Sequence, residues 1–180
     1  MFGDTHMSGN LAKMPTGFVL VGSVSSGKTA LMQALLGKRG DVLKTQAAVY
    51  HGDNVIDTPG EFIGRRNYYG ALLSTIVDVP TIVYLQEANN PVFSMPAGLL
   101  QVYPNKNVVG VISKVDLPDA DVAAARQILR DNGIAEPYFA TSAATGFGVT
   151  ALRNFLIALG NNNAESAGSA KPSAQRENTA

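Results

Sequence analysis

The 180-residue chain has no cysteine. That excludes disulfides, thiolate metal sites and cysteine nucleophiles, and it permits a reducing, cytoplasmic location. The chain also lacks an excess of either charge, because Lys+Arg and Asp+Glu both total 14. Nucleic acids and anionic membranes are usually met by a basic surplus, so neither is expected as a partner. No run of about 18 apolar residues occurs, so no transmembrane helix is expected. The longest apolar region, ALLSTIVDVPTIVYL, is interrupted by Asp78 and Pro80. The start, MFGDTHMSGNLAKMP, has neither the basic opening nor the apolar core of a secretory signal. Residues 1–15 read as a disordered extension. The last twenty residues hold no Val, Ile, Leu, Phe or Met. Such a segment cannot bury enough apolar surface to offset the entropy of ordering, so 161–180 read as a disordered tail.

Between these ends the composition is that of one globular domain, residues 16–160. With 46% hydrophobic and 16% charged residues, the chain can bury a sizeable core. Its hydrophobic period switches repeatedly. GFVLVG (17–22), TIVYLQ (81–86), NVVGVIS (107–113) and EPYFAT (136–141) are short apolar runs of strand type. AAVY (47–50) and NVID (54–57) flank HGD and read as a hairpin with Gly52 at its turn. Helical spacing occupies 29–37, 68–77, 96–103 opening on Pro96, a segment beginning at Asp119 or Asp121 and stopped by Gly133, and 148–159. Apolar strands alternating with helices predict an α/β fold. Its sheet is parallel and covered on both faces, and the hairpin adds one antiparallel edge strand. Ligands of such sheets bind outside the carboxyl ends of the strands. The loops after residues 21, 57, 86, 113 and 141 are therefore the ones that matter.

The first of these loops is Gly22-Ser23-Val24-Ser25-Ser26-Gly27-Lys28-Thr29. It fits G-x-x-x-x-G-K-[ST] and stands between a strand and a helix, the context the motif requires. Glycines at 22 and 27 let the backbone curl. The amides of Ser25, Ser26 and their neighbours then point inward, beside the positive end of the helix, toward an anionic phosphate. Lys28 is placed to reach the β- and γ-phosphates, and the Thr29 hydroxyl to bind Mg²⁺.

Asp57-Thr58-Pro59-Gly60 ends the next buried strand. Alone it is turn chemistry. Beside the phosphate loop, Asp57 is a candidate to hold Mg²⁺ opposite Thr29, and Gly60 to present its N–H to a γ-phosphate. Thr45, in the linker before the hairpin, is a candidate for a second hydroxyl on the metal. Glu61 stands where many GTPases of this architecture place a water-orienting glutamine. It can act as a base, repel the γ-phosphate, or simply open a helix where the dipole favours an acid. Arg65 and Arg66 read as solvated arginines.

VISKVD (111–116) places Ser113, Lys114 and Asp116 at a strand end. Guanine offers N1–H and N2–H₂ on one edge, and a fixed carboxylate accepts from both, so Asp116 can select guanine over adenine. The Lys114 stem can lie over the base plane. Ser113 stands where asparagine is usual. It keeps one hydroxyl but loses the amide's reach, which predicts a modest loss of affinity. Thr141-Ser142-Ala143 follows the last strand, and Ser142 and Ala143 are placed to offer a backbone N–H to the guanine oxygen.

These motifs together resemble the GTPase-like P-loop proteins. More narrowly they resemble the EutP/PduV family, which is associated with bacterial microcompartments for ethanolamine or propanediol use. The resemblance runs over residues 17–159 and rests on GSVSSGKT, KTQA (44–47), DTPGE (57–61), PAGLL (96–100), ISKVD (112–116) and PDADVAAARQ (118–127). It implies a Ras-like sheet of six strands with helices on both faces, and Mg²⁺ with GTP or GDP, or alternatively ATP, as ligands. The activity it implies is divided. One reading is a slow GTPase or switch, with Lys28 and Glu61 as the catalytic candidates and microcompartment shell or enzyme proteins as possible partners. Another is an ATP-dependent acetate kinase, for which Arg65–Arg66 is the only adjacent arginine pair and no arginine-rich lid is evident. A third is a recruitment module that has lost catalysis. The location implied is the cytoplasm, in association with a microcompartment.

Overall fold

The computed structural model describes residues 14–37, 48–51, 54–95, 99 and 103–168. Strand β1 (Phe18–Gly22) is buried along its whole length. Helix α1 (Lys28–Leu35) follows, then the short strands β2 (Val49–Tyr50) and β3 (Val55–Asp57). Helix α2 (Glu61–Gly64), a 3-10 turn at Arg66–Tyr68 and helix α3 (Tyr69–Val77) lead to β4 (Thr81–Glu87). The chain continues through β5 (Asn107–Ser113), α4 (Val122–Asp131), β6 (Phe139–Ala140) and α5 (Val149–Gly168). The expected helix at 96–103 lies almost wholly outside the described residues, as do Thr45 and Gly52.

The six strands form one sheet in the order β2-β3-β1-β4-β5-β6. β1 pairs in parallel with β3 and β4, β4 with β5, and β5 with β6. Only the edge strand β2 runs antiparallel, with Val49 opposite Asp57. This is the α/β sheet the sequence predicts, and it is consistent with a Ras-like P-loop fold.

Side chains alternate across each strand, and the two faces bury separate cores. Phe18, Leu20, Val83, Leu85, Val109 and Val111 meet Leu31, Met32 and Leu35 of α1 and Leu152 and Leu156 of α5. Val19, Val21, Ile82, Tyr84 and Ile112 meet Leu72 and Ile76 of α3 and Ala125 and Leu129 of α4. Each fully buried Leu or Ile contributes about 1.5–3 kcal/mol. The two layers therefore fix the strand ends, and with them the loops that build the site.

Three local expectations are sharpened. Of the two candidate caps for α4 it is Asp121 that serves, its carboxylate accepting from Ala124 N at 2.8 Å. β6 is confined to Phe139–Ala140 rather than the predicted 136–141, and Pro137 in that stretch has no N–H to give to a ladder. α5 runs to Gly168, so the expected domain end at 160 falls inside a helix. Asn107 at the foot of β5 donates to Asn163 at 3.4 Å, which ties that extension to the sheet.

Candidate functional site

The parallel sheet brings the carboxyl ends of β1, β3, β4, β5 and β6 to one edge. Every loop singled out from the sequence emerges there. After β1, α1 packs Leu31 and Leu35 into one core, while Met95 and Leu99 beyond β4 lie in the core on the opposite face, and this divergence makes the crevice such folds use.

At the end of β1 the loop curls as the glycine pattern predicts. Ser25 has φ of 65° and Gly27 φ of 91°, both left-handed, and α1 begins at the next residue. Lys28 is turned back into this curl. Its Nζ donates to Gly22 O at 2.9 Å, Ser23 O at 2.6 Å and Ser26 Oγ at 3.4 Å. The side chain is buried, and loss of hydration pushes its pKa down to about 8, against the upward pull of Asp57, Glu61 and Glu87. A buried ammonium with depleted hydration, held in a tight loop at the start of a helix, suits an anion with several oxygens.

Thr29 Oγ1 donates to Asp57 Oδ2 at 2.8 Å, so the first residues of α1 and the end of β3 meet as the sequence reading requires. Thr58 is wholly buried and donates to Leu20 O at 2.6 Å, which fastens the acidic loop to β1. Gly60 lies against the phosphate loop. A Cβ there would stand 2.5 Å from Val24 N and 2.8 Å from Ser23 C, so no side chain fits. Glu61 opens α2 half-buried. Arg65 and Arg66 are exposed, as expected for solvated arginines.

Among the described residues no group of three or more His, Cys, Asp or Glu could hold a metal alone. That is the ligand poverty Mg²⁺ tolerates, since it commonly takes one or two protein oxygens and completes its shell with water and phosphate. The hydroxyl of Thr29 and the carboxylate of Asp57 are hard oxygen donors of that kind, and the residues fit the ion.

The other half of the site lies at β5 and β6. A cavity of about 310 Å³ is bounded by Ser26, Gly27, Ser113, Lys114, Asp116 and Ala143, with Ala30, Leu31, Leu117, Thr141 and Ala144 completing its wall. Asp116 is exposed at its mouth. Ser113 Oγ donates to Ser26 O at 2.8 Å in a buried contact, so the serine ties this loop to the phosphate loop despite its short reach. Lys114 sits in left-handed backbone, φ 60°, and its Nζ pairs with Glu87 Oε1 at 3.2 Å. Ser142 is buried and its hydroxyl accepts from Thr145 N at 3.1 Å, which shapes the loop from within, while Ala143 faces the cavity.

One chain fold thus gathers Gly22, Ser26, Gly27 and Lys28 around the curl, sets Thr29 against Asp57, and places Ser113, Lys114, Asp116 and Ala143 around the cavity. The sequence reading missed Glu87 and Thr58, as well as the apolar wall of Leu31 and Leu117. Leu117 directly follows a motif residue. Glu87 is the one charged residue of the buried strand β4, and that is the signal the sequence offers.

A family model described as PduV-EutP, ethanolamine utilisation - propanediol utilisation, matches residues 16–158. Over 139 residues the chain is 44% identical to "Probable acetate kinase EutP" of Salmonella typhimurium, covering 77% of this chain and 87% of that one. The protein of the same name from Escherichia coli is 42% identical over the same shares. "Propanediol utilization protein PduV" of Citrobacter freundii is 31% identical over 140 residues, 78% of this chain and 92% of that one.

Proposed function

The chain belongs to the PduV-EutP family of ethanolamine and propanediol utilisation, and from that premise we propose that it is a Mg²⁺-dependent purine-nucleotide-binding protein that turns GTP over slowly, as a GTPase or switch. The observation that carries this reading is the buried Lys28 within a curled glycine loop, flanked by a Thr29–Asp57 pair on one side and a purine-sized cavity on the other.

In this reading the amides of Ser25 to Lys28 bind the phosphates, and Lys28 exchanges its loop carbonyls for β- and γ-oxygens. Thr29 and Asp57 would hold Mg²⁺, with Thr45 of the linker the candidate for a second hydroxyl on it. The ion, when bound, offsets charge developing on the phosphates. Gly60 approaches closely enough to give its N–H to the γ-phosphate, because nothing projects from its Cα. Glu61 takes the proton of an attacking water. It is a carboxylate where an amide is more usual, and its charge opposes the approach of the γ-phosphate, which accounts for slow turnover. Asp116 accepts from guanine N1–H and N2–H₂, Lys114 lies across the ring, and the Ala143 N–H reads the guanine oxygen. Among the described residues no helix is long and apolar enough to cross a membrane. The setting proposed is the cytoplasm beside a microcompartment, with shell or enzyme proteins as partners.

A second reading, an ATP-dependent acetate kinase, is favoured by the names of the EutP relatives. The same phosphate loop would serve it, while Asp116 would have no guanine to read. Affinities for GDP, GTP, ADP and ATP, with and without Mg²⁺, separate the two, together with phosphate release in the presence and absence of acetate. Guanine preference with slow, acetate-independent release is expected. ATP binding as tight as GTP binding, with turnover that requires acetate, would overturn the GTPase reading in favour of the kinase.

A further inference from the structure

The loop after β4 holds the base-side loop at several points that no nucleotide motif includes. Glu87 and Ser113 are neighbours across the β4–β5 ladder. Ala88 N donates to Ser113 O at 2.9 Å, and Asp121 N donates back to Ala88 O at 2.8 Å. Asn89 Nδ2 reaches Asp119 Oδ2 at 3.1 Å. Glu87 is at the centre of this brace. Its side chain is 10% exposed, with Lys114 on Oε1 at 3.2 Å and Asn90 Nδ2 on Oε2 at 3.2 Å.

A carboxylate that far from water needs partners for both oxygens, and it has them. Its cationic partner is no ordinary surface lysine. Lys114 lines the cavity, and its left-handed backbone aims the side chain by a conformation that non-glycine residues rarely adopt. A free lysine would sample many rotamers, whereas one anchored at Nζ has a fixed stem.

We propose that Glu87 is the positioning residue for Lys114: it anchors the ammonium so that the aliphatic stem forms a fixed wall of the base cavity. Base affinity then depends on Glu87 although Glu87 does not touch the base. This inference rests on the nucleotide-binding reading above. It adds to that reading a residue that acts on base affinity more strongly than on phosphate affinity.

The test is a double-mutant cycle on the full chain, with GDP and inorganic pyrophosphate titrated in Mg²⁺ buffer by calorimetry. Glu87→Gln is expected to weaken GDP about tenfold, the scale of one charge-assisted hydrogen bond, and to change pyrophosphate affinity by a much smaller factor, through its field at Lys28. In a Lys114→Met background, Glu87→Gln is expected to have no further effect. Thermal unfolding checks each variant. Should Glu87→Gln not fold, Asn90→Ala removes the second carboxylate contact, together with the bond from Val92 N to Asn90 Oδ1, while leaving the charge of Glu87 in place, and it is expected to weaken GDP by a smaller factor with pyrophosphate unchanged. The proposal is overturned if Glu87→Gln (or Asn90→Ala in its place) leaves GDP affinity intact, lowers pyrophosphate equally, or acts as strongly without Lys114. A wild-type chain that binds no purine nucleotide overturns the underlying reading as well. Wild-type binding with an indifferent Glu87 overturns the positioning role alone.

Discussion

The two halves of the site are built on different principles. On the β1–β3 side, apart from the Thr29–Asp57 pair, the contacts end mostly on main-chain atoms. Lys28 is held by carbonyls of its own loop, Thr58 is bonded to the Leu20 carbonyl, and Gly60 is pressed on the backbone of Val24. On the β5–β6 side the distinguishing groups are side chains at or near the surface. Asp116 is exposed and Lys114 is a third exposed, on a loop joined to the phosphate loop through the hydroxyl of Ser113. The first half can change little without refolding. The second can be altered one side chain at a time. Retention of a phosphate loop therefore says little about which base is preferred, and that choice rests on a few replaceable groups.

Three substitutions grade this contrast. Lys28→Ala has the largest expected effect. A hydrogen bond to a charged group is worth about 1.5–3 kcal/mol, and losing the lysine's bonds to phosphate should weaken GDP and ADP alike by about a hundredfold or more. Calorimetric titration of both nucleotides checks it, and an unequal loss would break the division between halves. Asp116→Asn comes next. The amide can donate where guanine also donates, so GDP should weaken by about 2 kcal/mol, roughly thirtyfold, while xanthosine diphosphate gains. Competition between the two diphosphates on the variant reads this directly, and unchanged selectivity would reduce the loop to a plain turn. Ser113→Ala is the smallest. It removes a buried bond worth about 1 kcal/mol. GDP affinity should fall about fivefold, with a matching drop in the denaturant midpoint, because the same bond joins the two halves.

What could be read from the sequence follows the same division. The phosphate loop is contiguous, and strand, curl and helix occur in one stretch of residues 17–37, so spacing alone reveals it. The hairpin and its antiparallel edge were legible from turn residues between two apolar runs. The position of α4 was legible but its cap was not, because Asp119 and Asp121 are equivalent as residue types. Only the bond from Ala124 N to Asp121 separates them. The pairing of Glu87 with Lys114 spans 27 residues and two strands, so no local pattern carries it. The same is true of Ser113 on Ser26, which spans 87 residues. Ser113 has less reach than the asparagine usual at this position, which touches the base and ties the loop to the phosphate loop, yet β5 delivers its hydroxyl directly to the Ser26 carbonyl. The helix past residue 160 escaped notice because the absence of large apolar residues argues against a core but not against a helix continued from one.

The contact between Gly60 and Val24 also has a practical use. No side chain separates the two loops, so any movement of the Val24 peptide on anion entry would press on residue 60 and the start of α2. Arg65, one residue beyond α2, is exposed, and the chain has no cysteine of its own. A single cysteine introduced at 65 would take one environment-sensitive dye with no background labelling. The protein would then signal its own occupancy as a change in fluorescence.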